Sequence, residues 1–257
     1  MGFFTSFGVN YGKKPGEADG NSRYLPITII TDKEIRDKAN GLEDFGETIE
    51  RISRQLSQLL TQQDKGDLID ILTYSFREVF RNVYEHSQRN LLEYCAQYWP
   101  SKQQVELAIL DRGVGIMKTL KRNPYLKITC DHEALNYCLL PGISGKMYKG
   151  LRQDPNNFWQ NSGYGLYMIN RLCRNGGSFF ICSGNSGIEF ENGSKKEFDT
   201  NFQGTALRLK IDTTRVHSIS NLLRKFKEEG YRIAKELNAA KSISASTAST
   251  MLSRDFK

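Results

Sequence analysis

Three polar residues recur at intervals of four in the stretch FREVFRNVYEHS: Glu78, Asn82 and His86. A helix turns about 100° per residue, so positions four apart drift by only about 40° and the three side chains share one face. The polar row is then either a solvated surface or the wall of a binding site. We expect a neighbouring apolar face to pack inward, and its members are Leu72, Phe76, Val79, Phe80 and Val83.

A first glycine-bearing turn, DRGVGI, spans residues 111–116 and directly follows a predicted strand. Asp111 therefore emerges at a strand end, and Gly113 and Gly115 allow the backbone to come close to a ligand. Turn geometry alone also explains Asp and Gly at such a position, so this motif does not by itself separate a site from a simple turn.

A second turn, NSGYGLYMI, spans residues 161–169 and places Gly163 and Gly165 at the start of a predicted helix. Exposed amides at a helix start bind phosphate well, especially where glycine leaves room. An ordinary helix start capped by Ser162 explains the same pattern. Neither the P-loop motif GxxxxGK[ST] nor the dinucleotide motif GxGxxG occurs in the chain.

The composition is that of an ordinary globular protein, with 39% hydrophobic and 25% charged residues in a chain of 257. No apolar run is long enough to cross a bilayer. The net charge is +7, and residues 213–257 hold nine basic and four acidic residues, so most of the charge lies in this tail. This distribution argues against a broad nucleic-acid surface on the main domain, although the tail is able to contact phosphate.

The five cysteines are odd in number and form no CxxC pair. This usage favours a reduced, cytoplasmic compartment. Cys130, His132 and Cys138 match no usual zinc spacing and lack a fourth ligand, so we interpret them as structural residues.

Hydrophobic periodicity predicts the helices and strands that must position these motifs. The predicted helices cover 32–41, 42–62, 67–89, 163–176 and 218–240. The predicted strands cover 26–31, 104–110, 177–183, 187–192 and 203–211. Residues 116–162 show no sustained periodicity, and so long a stretch without regular structure is usually functional or mobile.

The order of the motifs resembles that of the GHKL, or Bergerat-fold, ATP-binding superfamily. A helix with Glu-xxx-Asn precedes a strand ending in Asp-x-Gly-x-Gly, a long loop, a Gly-x-Gly helix start and strands with the pair Gly204-Thr205. The likeness covers residues 65–212. It implies an α+β fold, a two-layer α/β sandwich with a mixed, mostly antiparallel sheet, helices on one face and ATP between the layers.

The resemblance also implies roles for individual residues. Asn82 matches the asparagine that helps hold Mg²⁺ on the triphosphate, and an amide oxygen suits that hard cation. Glu78 matches the glutamate that orients and deprotonates the attacking group. Asp111 matches the aspartate that accepts a hydrogen bond from the adenine amino group, and Thr205 matches the threonine behind the adenine. Further implied ATP-binding positions are Gly113, Gly115, Ile116, Gly163, Tyr164, Gly165 and Leu166.

For each of two further residues, the sequence allows both a functional and a solvent-exposed interpretation. His86 matches a polar position that faces the nucleotide in the small bacterial anti-sigma-factor kinases, and a solvent-facing histidine at the helix C-terminus is the alternative. Lys146, in GISGK of the presumed lid, is a candidate catalytic residue at the terminal phosphate. A solvated lid lysine is the alternative there.

Fold and ligand leave several functions open. We expect a stand-alone prokaryotic ATPase that hydrolyses Mg-ATP and acts as a conformational switch in a homodimer or a partner complex. The alternatives are an anti-sigma-like serine/threonine kinase acting on a STAS-type partner and a non-hydrolysing nucleotide sensor. A histidine kinase is disfavoured because the helix at 42–62 contains no phosphoacceptor histidine.

The chain divides into four expected segments. Residues 1–64 form an arm with a strand–helix extension for dimer or partner contact, and residues 65–212 form the ATP-binding domain. Residues 213–240 form a C-terminal helix, and residues 241–257 form a disordered, basic tail rich in Ser and Thr. We expect a cytoplasmic protein without membrane attachment.

Overall fold

The computed structural model describes residues 8–14, 17–31, 45–86, 91–145, 165–215 and 219–239. Within these ranges the chain forms five strands: β1 (Tyr24–Thr31), β2 (Leu91–Trp99), β3 (Gln104–Asp111), β4 (Ser178–Glu191) and β5 (Ser194–Asp212). It also forms six α-helices: α1 (Phe45–Thr61), α2 (Asp67–His86), α3 (Gly115–Leu120), α4 (Asp131–Cys138), α5 (Gly165–Cys173) and α6 (Ile219–Ala239). The predicted helix at 32–41 and the predicted disordered tail at 241–257 lie outside the described residues.

The five strands form one open sheet in the order β1-β2-β3-β5-β4, and each of these pairings is antiparallel. Together with the helices packed on it, this sheet makes an α+β fold. The predicted two-layer α/β sandwich is therefore confirmed.

Alternation along the central strands gives the sheet one buried and one solvent-facing side. In β3, Val105, Leu107 and Ile109 are at most 2% exposed, and the residues between them are partly exposed. On the solvent side, charged residues pair across strands, as where Arg208 Nη2 lies 2.7 Å from Glu106 Oε1. The helices contribute their apolar residues to the core on the buried side.

Helix α2 supplies the centre of this core. The residues of its predicted inward face are all buried, with at most 5% exposure: Leu72, Phe76, Val79, Phe80 and Val83. The Phe80 ring lies 5.2 Å from the ring of Tyr94 in β2, which ties the helix to the sheet. The inward packing predicted from the sequence is confirmed.

The N-terminal elements share this sheet and this core. Strand β1 pairs with β2 along the edge of the sheet. Ile49, Ile52, Leu56 and Leu60 of α1 are buried in the same cluster as the α2 residues. The part of residues 1–64 that forms β1 and α1 is therefore built into the main layer structure.

The C-terminal helix α6 packs on α5. Arg171 Nη2 lies 2.6 Å from Glu229 Oε2, and the Arg171 guanidinium lies 5.1 Å from the centre of the Phe226 ring. The Tyr167 hydroxyl donates a hydrogen bond to the Phe226 carbonyl at 3.4 Å. Charged, aromatic and backbone contacts thus join the two helices. No helix in the described ranges combines the length and apolarity needed to span a membrane.

The structure corrects the sequence-based prediction of the elements at four points. Strand β2 was not predicted. Helix α4 and all but the first residue of α3 lie inside 116–162, where no regular element was expected. These helices have only six and eight residues, too few to produce sustained periodicity. The strands predicted at 177–183 and 187–192 are one strand, β4, because an irregularity at Gly184 shifts its register without ending it. The strand predicted at 203–211 begins at Ser194 as the return arm of that hairpin.

Candidate functional site

A cleft lies between the helical layer and the sheet, where β3 ends and α5 begins. It holds about 780 Å³ of space, counted to its open mouth and including solvent there. Its lining residues are Val79, Asn82, Val83, Ile109, Asp111, Gly115, Ile116, Thr119, Leu120, Cys138, Ile143, Ser144, Gly145, Gly165, Leu166, Ile181, Thr205 and Leu207.

Seven predicted ATP-binding residues meet in this cleft: Asn82, Asp111, Gly115, Ile116, Gly165, Leu166 and Thr205. They come from α2, the β3–α3 turn, α5 and β5, so the fold brings together motifs that are far apart in the sequence. Lys146, Gly163 and Tyr164 lie outside the described residues. His86 is the last residue of α2, and its side chain also lies outside the description.

Asp111 ends β3 directly opposite Thr205 in the β3–β5 register. The residue is only 4% exposed, and its Oδ1 accepts a hydrogen bond from the Gly113 amide at 2.7 Å. Burial raises the pKa of this carboxyl from 3.8 to about 6, while hydrogen bonds from the Gly113 amide and the Thr205 side chain limit the rise. A buried carboxylate in the cleft wall is well suited to accept a hydrogen bond from an amino group of a ligand.

The turn after β3 is fixed by Ser183 of β4, a residue that no sequence motif includes. Ser183 Oγ accepts a hydrogen bond from the Ile116 amide at 3.0 Å and donates one to the Gly204 carbonyl at 2.7 Å. Gly115 has a φ of +76°, and a Cβ there would lie 2.9 Å from Ser183 Oγ. Gly204 has a φ of +112°, and a Cβ there would collide with the Asp111 carbonyl oxygen. Glycine at both positions therefore allows the turn to close onto the sheet.

Glu78 lies beneath the first residue of α5 and is 3% exposed. A Cβ on Gly165 would lie 2.6 Å from Glu78 Oε2, so the absence of a side chain lets α5 begin against this carboxylate. Arg81 Nη2 lies 2.7 Å from the same oxygen, and Arg77 Nη2 lies 3.5 Å from Oε1. Glu78 therefore does not line the cleft itself but lies against Gly165, which does. Each of its carboxylate oxygens lies near an arginine.

The apolar floor contains residues that the motifs did not indicate. Leu120 ends α3, Cys138 ends α4, and Ile143 follows in the next turn. Burial raises the pKa of the Cys138 thiol far above its ordinary value, which keeps it protonated and unreactive. The short helices gave no periodic signal, whereas Leu207 could have been found from the alternation of its strand.

Cys130, His132 and Cys138 do not gather at one point. Cys138 is buried, Cys130 is exposed, and His132 Nε2 lies 2.9 Å from Glu197 Oε1. Across the described ranges, no group of three or more His, Cys, Asp or Glu residues is placed to hold a metal ion.

The chemistry of the cleft suits a flat ring that carries an amino group and an anionic chain. Asp111 and Thr205 offer a polar contact where β3 ends, and the apolar floor offers a surface for a ring. Gly165 begins a nine-residue helix at another part of the wall, where backbone amides favour anions.

No protein-family model matches the chain, and no curated protein is significantly similar to it. The resemblance to the GHKL superfamily therefore depends on the motifs themselves.

The ionised form of Asp111 should reduce the stability of the fold at neutral pH. The folded protein keeps this proton up to about pH 6, but the unfolded chain loses it near 3.8, so the free energy of unfolding falls as the pH rises between these values. Asp111→Asn removes this loss. The free energy of unfolding of the variant, minus that of the wild type, should therefore rise by up to about 3 kcal/mol between pH 4 and pH 7.5. Urea unfolding of both proteins at both pH values measures this rise. The same variant-minus-wild-type difference at pH 4 and pH 7.5 would contradict the prediction.

Gly204→Ala should destabilise the fold more than Gly66→Ala. The two glycines have similar φ angles, +112° and +122°, but a Cβ on Gly66 meets nothing within 4 Å. Gly204→Ala should lower the free energy of unfolding by about 1–3 kcal/mol more than Gly66→Ala does, because its Cβ would collide with the Asp111 carbonyl. Equal losses of unfolding free energy in urea would mean that this close approach is not required.

Proposed function

We propose that this protein binds ATP with Mg²⁺ in the cleft and hydrolyses it, acting as a nucleotide-driven switch in a dimer or a partner complex. One observation carries the proposal: the buried Asp111, paired with Thr205, shares an apolar cleft with Asn82 and the start of α5. Asp111 would contact the base of the nucleotide, Asn82 would contact the Mg²⁺ ion, and the start of α5 would contact the phosphates.

The Asp111 side of the cleft supports adenine as the base. Adenine presents an exocyclic amino group, which donates to a carboxylate, whereas guanine presents an oxygen at the equivalent position. The carboxylate already accepts hydrogen bonds from the Gly113 amide and the Thr205 side chain, and its remaining lone pairs are available to a base.

Asn82 fits a magnesium ion bound to phosphates. It lines the cleft, and its amide oxygen is a suitable ligand for a hard cation. Since the described residues hold no cluster of acidic or histidine ligands, the phosphates of the nucleotide would supply most of the coordination. When bound, the ion would neutralise part of the phosphate charge.

Glu78 is the proposed general base for hydrolysis. It lies one helical turn before Asn82, and its Oε2 is beside Gly165 at the phosphate side. A carboxylate in that position can accept a proton from an attacking water. In the structure both of its oxygens are next to arginines, so this role requires that one contact be released.

The same arginine contacts favour a second candidate, a nucleotide sensor that does not hydrolyse ATP. If Arg81 and Arg77 keep Glu78 paired in the bound state, both carboxylate oxygens stay engaged and neither serves an attacking water. ATP would then change the conformation around α5 without turnover.

ATP should bind at least about tenfold more tightly than GTP, because the guanine oxygen would face the Asp111 carboxylate. Asp111→Asn should remove most of this preference, since an amide can both donate and accept. Competition against a fluorescent nucleotide measures both affinities. The matched control is Asp70→Asn, which changes an exposed carboxylate on α2, outside the cleft lining. Equal binding of ATP and GTP by the wild type would exclude Asp111 as the base-reading residue.

Glu78→Gln should lower Mg-dependent phosphate release from ATP by at least about a hundredfold while ATP still binds. Glutamine keeps the size of the side chain and an oxygen for Arg81 but is not a base. The matched control is Glu50→Gln, because Glu50 also contacts Arg77 but lies on α1. ATP binding without release by the wild type would reject the ATPase and support the sensor.

A further inference from the structure

Two arginines hold Glu78, and they differ in their distance from the carboxylate and in their exposure. Arg81 makes the shorter contact, 2.7 Å to Oε2, and its side chain is 12% exposed. Arg77 lies 3.5 Å from Oε1 and is 25% exposed. Arg77 Nη1 also lies 3.3 Å from Glu50 Oε2, and its guanidinium is 5.4 Å from the centre of the Tyr74 ring. Arg77 is therefore attached to the outer side of the α1–α2 pair, and Arg81 is the inner partner of Glu78.

The Arg81 guanidinium lies close to the helical wall of the cleft. The oxygen that it contacts, Glu78 Oε2, is the one that a Cβ on Gly165 would approach to 2.6 Å. Gly165 lines the cleft, and so does Asn82, the residue that follows Arg81 in α2. The Arg81 guanidinium and the start of α5 therefore meet at the same oxygen, Glu78 Oε2.

Electrostatics favours a change of partner by Arg81 when a triphosphate arrives. A phosphate at the start of α5 would lie beside the buried Glu78 carboxylate, and two adjacent anions repel each other strongly in a buried site. A guanidinium can form paired hydrogen bonds with either group. Arg77 stays beside Glu78 and limits the cost of taking Arg81 away.

We propose that Arg81 recognises the terminal phosphate of ATP by exchanging partners. In the nucleotide-free protein Arg81 pairs with Glu78, and on ATP binding it pairs with the terminal phosphate, which releases Glu78 Oε2. ADP lacks that phosphate and leaves the Glu78 pair in place. The inference rests on the proposed nucleotide function and adds to it the residue that distinguishes ATP from ADP.

The test compares the affinities of Mg-ATP and Mg-ADP by calorimetry, without turnover as a readout. Glu78→Gln provides the background, because removing Arg81 alone would leave a buried carboxylate without its closest partner. In that background, Arg81→Gln should weaken ATP by about tenfold or more and change ADP by less than about twofold. The matched control is Arg77→Gln in the same background, which should leave the ATP-to-ADP ratio unchanged. Thermal unfolding checks that every variant is folded.

Each result decides a different point. A loss specific to ATP and to Arg81 supports recognition of the terminal phosphate by Arg81. An unchanged ATP-to-ADP ratio in the Arg81 variant, or the same change in the Arg77 variant, overturns it while nucleotide binding stands. If the wild type binds neither nucleotide, the proposed function fails and this inference fails with it.

Discussion

The cleft depends on the register in which β3 pairs with β5. That register sets Asp111 opposite Thr205, at the point where β3 ends and the chain turns into α3. Gly204 lets the two strands approach without a collision at the Asp111 carbonyl, and Ser183 hydrogen-bonds both the Ile116 amide after the turn and the Gly204 carbonyl of β5. Because side chains alternate along a strand, a shift of one residue would direct Asp111 to the solvent face and remove the acceptor from the cleft.

Helix α2 joins the core and the site through one rigid element. Its apolar face is buried against the sheet, while Asn82 lines the cleft and Glu78 lies under the start of α5. Packing therefore fixes the polar residues in place, since the helix cannot rotate without exposing Phe76 and its neighbours. The energetic expense is a buried carboxylate, and the two arginines on the same helix offset it.

Sequence motifs predicted seven of the residues that line the cleft, because each motif is local. The spacing of Glu78 and Asn82, the Asp-x-Gly-x-Gly turn and the position of Thr205 could all be read within a few residues. The contacts of Glu78 were not predicted, because the inward direction of Arg77 and Arg81 depends on how α1 and α5 pack on α2. In the fold, β2 was overlooked although its burial alternates, and α3 and α4 were too short to detect. The role of Ser183 depends on a hydrogen bond across 67 positions of sequence, which no local pattern can reveal.

The packing of α6 on α5 has a consequence for the whole chain. Helix α5 begins in the cleft, and the contacts of Arg171 and Tyr167 with Glu229 and Phe226 attach the last described helix to it. A ligand that stabilises the start of α5 therefore also lowers the rate at which α6 opens and exchanges its amide hydrogens. By thermodynamic linkage the effect runs in both directions. Whatever bound or removed α6 would thereby change the affinity for a ligand at the start of α5.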